Sequence, residues 1–145
     1  MYHTLMRPSA HFGLFLLANC LFLSGNSAAQ HMNAADAPCR SPASNAEETL
    51  CFITASKAAD KQMNQTYTRV RQVLSPDEQQ DLQQAQRLWL KFRDANCSAE
   101  RNLYGQGTAS AMVHAACLEA ETRQRTAELK TMYGWRLEKF GDKTE

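Results

Sequence analysis

His114, Cys117 and Glu121 carry the spacing of a ligand set: one helical face would present an imidazole, a thiolate and a carboxylate to a metal ion. A catalytic reading needs that cluster, or a nucleophile with a base and a group to orient it. The rest of the chain completes neither. Cys117 is one of four cysteines beyond residue 29 and is better spent in a disulfide, and His31, the only other histidine in that stretch, lies in a segment with no helical period. Glu119 and Glu121 are two apart, so a helix points them in different directions and they make no acid/base pair. The sequence therefore reads as non-enzymatic, with no catalytic residue, metal or cofactor. The chemistry left to it is recognition.

Two constellations bear on recognition. Trp89 and Arg93 lie one helical turn apart, so the guanidinium can cover the indole face while Asp94 reaches a neighbouring helix. Arg125 falls on an otherwise apolar stripe, where an arginine must be compensated; it is expected in the inter-helix seam, paired with Asp60 or Asp94. Asn64 is expected to bond side chain to backbone, and Tyr67 to bury its ring while its hydroxyl stays bonded or wet. The second constellation is the donor-rich run Arg101-Asn102-Leu103-Tyr104-Gly105-Gln106-Gly107-Thr108. Its glycines let it project, Tyr104 offers area and Arg101 can meet an acid, so Arg101, Asn102, Tyr104 and Gln106 are the candidate partner contacts.

These residues need helices to position them. Ser44 and Glu47 form a capping-box pattern that starts a first helix, in which Cys51, Ala55, Ala59, Met63, Tyr67, Val70 and Leu74 recur at intervals of three or four. Ser75-Pro76-Asp77-Glu78 repeats the start signal, so a second helix follows at once and must run antiparallel beside the first. It carries Leu82, Ala85, Trp89, Phe92 and Asn96 on one side and runs to about Tyr104, where Gly105-Gln106-Gly107 stops it. Thr108 or Ser110 can cap a third helix with Ala111, Ala115, Leu118, Thr122, Arg125, Leu129, Met132 and Trp135 or Arg136 in period; Gly134 ends or weakens it, and Leu137 and Phe140 add a last turn. No segment alternates with a period of two. The fold class is all-α: an antiparallel helical hairpin extended to a three-helix bundle.

Residues 1–29 read as a secretory signal peptide, with Arg7 as the positive flank, an apolar stretch from Phe12 to Leu23, and small residues from Ser24 to Ala29. The apolar stretch is shorter than the roughly 20 residues of a membrane span, and no later segment approaches that length. A soluble chain starting at Gln30, periplasmic or secreted, is expected. Lipid anchoring at Cys20 is not, because Asn19 fits poorly before it and Leu21-Phe22-Leu23 carry the apolar run past it. Without Arg7, fifteen bases face fifteen acids, and a neutral domain lacks the basic stripe that nucleic acid requires. Residues 30–45 form an extended arm, 46–140 a single helical domain and 141–145 a polar tail.

Cys39, Cys51, Cys97 and Cys117 allow three pairings. Cys39–Cys51 and Cys97–Cys117 are favoured because each brackets one turn or helix start, and each closure is worth roughly 3 kcal/mol on the loop-entropy model. Neither pair has the close spacing of a zinc knuckle.

The run Ala59-Asp60-Lys61-Gln62-Met63-Asn64-Gln65-Thr66-Tyr67, then Ala85-Gln86 with Trp89, Arg93-Asp94 and Cys97, then Cys117 with Thr122, Arg125 and Leu129, resembles the lysozyme inhibitor LprI type of small exported domain. The resemblance spans Cys39 to about Leu129. It implies an all-helical periplasmic or surface protein, some of whose relatives inhibit lysozyme. In that case inhibition is occlusion of a cleft that works with two carboxylates, which suits the donor-rich turn. Lysozymes are commonly basic, so Asp77, Glu78, Asp81, Glu119 and Glu121 are candidate complementary patches whose attraction should fade with salt. The rival readings are an immunity protein against a toxin delivered into the periplasm and a structural or stress-related envelope protein. The sequence leaves the target enzyme and the oligomeric state open.

Overall fold

The computed structural model describes residues 31–40 and 42–141, which form a short 3-10 turn (His31–Asn33) and three helices, α1 (Asn45–Gln72), α2 (Pro76–Asn102) and α3 (Ser110–Phe140), with no strand. The expected signal peptide, Cys20 and all but the first residue of the expected tail lie outside the described residues. Among these, no helix is long and apolar enough to cross a membrane.

The first two helices start where a side chain can satisfy their free amides. Ser44 Oγ accepts from the Glu47 amide at 3.3 Å, while Glu47 reaches back to the Ala43 amide rather than to Ser44. At α2, with Pro76 in the first turn, the Ser75 amide and hydroxyl both donate to Glu78 Oε2, at 2.8 and 2.9 Å. These bonds to Ser75, followed by the charge of Arg136, hold the Glu78 carboxyl below its ordinary value. The third start differs from expectation: Ala109 is the N-cap, with neither Thr108 nor Ser110 in that role, and no side chain caps the helix.

One apolar cluster sits at each end of the bundle. Phe52, Met112, Ala115 and Ala116 pack with Ala37 and Cys39 at one end; Val70, Leu74, Leu82 and Leu129 pack at the other, flanked by Tyr67, Tyr133 and Leu137. The beginning of α1 therefore meets the beginning of α3, and the two run parallel with α2 antiparallel to both. Small residues such as Ala59, Ala115 and Ala116 let α1 and α3 lie close together. Long side chains rather than close backbone approach link α1 to α2, which tempers the expected hairpin pairing.

Both disulfides pair as expected. Cys39–Cys51 spans 5.9 Å between Cα atoms and Cys97–Cys117 spans 5.4 Å. The arm, however, is packed rather than extended. Ala37 and Cys39 are buried, His31 Nδ1 lies 2.7 Å from Glu100 Oε2, and Arg123 Nη1 donates to Asp36 Oδ2 at 2.6 Å. The disulfide holds Cys39 beside Phe52, so the apolar end cluster draws in the residues that precede it.

The inner face of α2 is partly turned from the expected one, whereas α3 keeps Ala115, Thr122 and Leu129 buried as expected and departs from its stripe at a few positions. On α2 the buried residues are Leu82, Gln86 and Cys97, while Ala85 and Phe92 face outward; on α3, Ala111, Met132 and Trp135 are exposed and Thr126 is buried instead. Gly134 does not end α3, because Tyr133 and Leu137 on either side of it pack on the second cluster. In α1 the fully buried residue near the start is Phe52, not Cys51.

Candidate functional site

Between the two apolar clusters lies a layer of polar side chains that reaches all three helices. Arg93 of α2 is its hub. Its Nη1 donates to Asp60 Oδ1 of α1 at 2.8 Å and to Thr122 Oγ1 of α3 at 3.1 Å, while Nε and Nη2 both donate to Asp94 Oδ1, at 3.0 and 2.9 Å. The guanidinium also stacks over Trp89, 5.2 Å from the ring centroid. Arg125 approaches the same indole at 5.8 Å and donates from Nε to Gln86 Oε1 at 3.1 Å; Gln86 Nε2 in turn lies 3.1 Å from Met63 Sδ. Both arginine side chains are nearly covered, 12% exposed for Arg93 and 11% for Arg125. The two nearly covered guanidiniums share one indole, and each has a carboxylate partner that offsets the cost of covering it, Asp60 or Asp94 for the first and Glu128 for the second.

This layer corrects three expectations. Arg125 does lie in the seam but pairs with Gln86 and Glu128, because Arg93 has taken both Asp60 and Asp94. Asp94 folds back onto its own neighbour and, among the described residues, bonds to no other helix, leaving its side chain mostly exposed. Asn64 is exposed on α1 and makes no side-chain hydrogen bond among the described residues, since water can satisfy it there. Tyr67 packs against the second cluster with Arg71 over its ring at 5.9 Å. Gln86 is the residue that sequence reasoning missed. The available signal was a glutamine one turn before Trp89 and Leu90.

Above this layer Cys97–Cys117 ties α2 to α3, with both cysteines fully buried. The hairpin tip beyond it is a chain of turns: Tyr104 N to Arg101 O, Gly105 N to Asn102 O, Gly107 N to Tyr104 O and Ser110 N to Gly107 O, all between 2.9 and 3.2 Å. Gly105 has φ +53°, a conformation that only glycine adopts without strain. Of the expected contacts, Arg101 and Asn102 form the exposed last turn of α2, Gln106 is exposed in the loop, and Tyr104 is half-buried. Among the described residues the most exposed large apolar side chain is Leu103, at 80%, which is not one of the expected contacts. A leucine outside the inward stripe and beside two glycines was the readable sign of it.

The ligand trio does not assemble. Cys117 is in the disulfide, and the residues that approach it are His31 and Glu121, within 4.8 Å of one another. A disulfide sulfur offers no thiolate, and His31 already bonds Glu100, so this group fastens the arm. The acidic patch is dispersed as well: Glu119 is buried on Arg123, Glu121 accepts from Asn96 at 2.9 Å, and Glu78 is committed to Ser75 and Arg136. Asp77 and Asp81 remain exposed at the end of α2 far from the loop.

His114, in the first turns of α3, is held below its ordinary pKa of 6.5 by burial first and then by the charge of Arg101. The folded state binds this proton less well than the unfolded chain does. The contribution is therefore complete above that ordinary value and is lost as pH falls below it. Melting temperature is expected to drop between about pH 7.5 and about pH 5.5, and His114→Gln to flatten that part of the profile. An unchanged slope in the variant would contradict the assignment.

The family model described as lysozyme inhibitor LprI matches residues 39–129, from the first described cysteine to the fully buried Leu129. An uncharacterized protein of Rhizobium meliloti (strain 1021) is 29% identical over 107 residues, covering 65% of this chain and 77% of its own length. No solved structure matches the chain.

Proposed function

Since the chain belongs to the lysozyme inhibitor LprI family, we propose that it is an exported, non-enzymatic binding protein that inhibits lysozyme-like peptidoglycan hydrolases by occluding their active-site cleft. The observation that carries this reading is the α2–α3 tip, where Arg101, Asn102, Leu103 and Gln106 stand exposed above a buried disulfide. A rigid base lowers the ordering cost of binding. Leu103 supplies apolar area, and Arg101 supplies a cation for a cleft that works with two carboxylates. In this reading residues 1–29 direct export, and the two disulfides fit an oxidising compartment outside the cytoplasm.

The test is an inhibition titration of Arg101→Ala/Tyr104→Ala and of Leu103→Ala against a muramidase that the wild type inhibits. Each variant is expected to raise the inhibition constant at least about tenfold, as loss of an interface anchor does, while the melting temperature stays near that of the wild type. Undiminished inhibition by both would exclude the tip as the occluding element.

A further inference from the structure

The outer face of α2 carries an apolar seam that no other described element covers. Ala85, Leu88, Phe92, Ala95 and Ala99 are all exposed and recur at intervals of three, four, three and four, the spacing of a coiled-coil stripe. Leu88 and Phe92 remain 59% and 57% exposed. The seam lies on the side of the helix away from Gln86, Arg93 and Cys97, which face the bundle. An apolar patch of this extent on a small domain marks an interaction surface.

We propose that this seam is a self-complementary interface, in which α2 packs antiparallel against α2 of a second copy of the chain. The argument is the order of sizes along it. Bulky Leu88 and Phe92 occupy the first half, and small Ala95 and Ala99 the second. In a two-fold interface, if one residue touches another across the axis, the reverse contact exists too. An antiparallel pairing centred between Arg93 and Asp94 sets Leu88 against Ala99 and Phe92 against Ala95, each contact occurring twice and each matching large to small. Parallel pairing would stack Phe92 on Phe92 and leave a gap between facing alanines.

Size sets the strength. The overlap from Ala85 to Asn102 is about 27 Å of helix, a strip of roughly 300 Å² in projection on each copy. With the relief of the side chains, two such strips approach the ~1,000 Å² total at which specific interfaces begin. The dimer is therefore reversible, with a dissociation constant on the order of 10 µM rather than in the nanomolar range.

Sedimentation equilibrium of the oxidised, exported protein tests this. The wild type is expected to dimerise, and L88E/F92E to weaken the dimer at least about 100-fold with helix content and melting temperature unchanged, since both side chains are largely exposed in the single chain. L88A and A99L should each weaken it about tenfold, and L88A/A99L should restore it, because the double variant exchanges large and small across one predicted contact. A wild type that is monomeric at about 200 µM, far above the expected dissociation constant, or a double variant no better than its singles, would overturn the proposal. So would a monomer that loses hydrolase inhibition in L88E/F92E, which would assign the seam to the target enzyme.

Discussion

Removing the Cys97–Cys117 bridge by replacing both cysteines with alanine is expected to lower stability by about 3 kcal/mol on the chain-entropy model and to weaken hydrolase inhibition sharply. The bridge closes a segment with a sequence separation of 20 that contains the whole α2–α3 tip. Both sulfurs are fully buried, so the change also removes packing at the point where α2 and α3 are fastened. Cys39–Cys51 provides the internal contrast. It has a sequence separation of 12, one of its two cysteines, Cys51, is exposed, and the arm it pins is also held by the His31–Glu100 and Arg123–Asp36 pairs. Its removal should cost a comparable or smaller amount of stability and leave inhibition intact. Denaturant unfolding of both double variants, paired with inhibition titrations, checks this. Equal loss of inhibition in the two would show that the bridges act only through global stability.

The second large effect is at Arg93. Arg93→Ala is expected to destabilise by about 2–3 kcal/mol, at the low end for breaking a covered ion pair because Asp60 is 49% exposed and can rehydrate. The loss combines the bonds to Asp60, Thr122 and Asp94 with the stack on Trp89. Asp60→Asn should cost less, about 1 kcal/mol, since Arg93 keeps Asp94 and Thr122. Arg93→Lys should not rescue the alanine variant fully, because an ammonium cannot hold three partners in a planar fork. Chemical denaturation reads all three. Destabilisation by Asp60→Asn as large as that of Arg93→Ala would show that the pair with α1 alone carries the layer.

The parts of the fold legible in the sequence are those set by local chemistry. Ser75-Pro76-Asp77-Glu78 specifies a helix start whatever surrounds it, the number and bracketing of the cysteines beyond residue 29 indicate the pairing, and Ala59, Met63 and Val70 mark the inner face of α1 because that face is made largely of apolar residues. The inner face of α2 is not. Gln86, Trp89 and Arg93 turn inward because Met63, Arg125, Asp60 and Thr122 stand opposite them, and a period counted on hydrophobicity follows Ala85 and Phe92 to the outside instead. The partner of Arg125 was hidden for the same reason: it depends on the relative height of three helices, which no spacing within one helix contains. The burial of the arm follows from the disulfide, the His31–Glu100 hydrogen bond and the Arg123–Asp36 ion pair, none of which its Ala- and Ser-rich composition contains. At the tip, the loop and its candidate residues could be read from glycines and donors, and Leu103 from its place outside the inward stripe, while the degree of its exposure depends on α2 ending at Asn102.

The most direct test of the central claim is to titrate the oxidised protein into a panel of muramidases of different types while following cell-wall lysis. Stoichiometric loss of activity against at least one type, reversed when Cys97–Cys117 is absent, is the expected result. Undiminished lysis across the panel at protein concentrations well above those of the enzymes would contradict it.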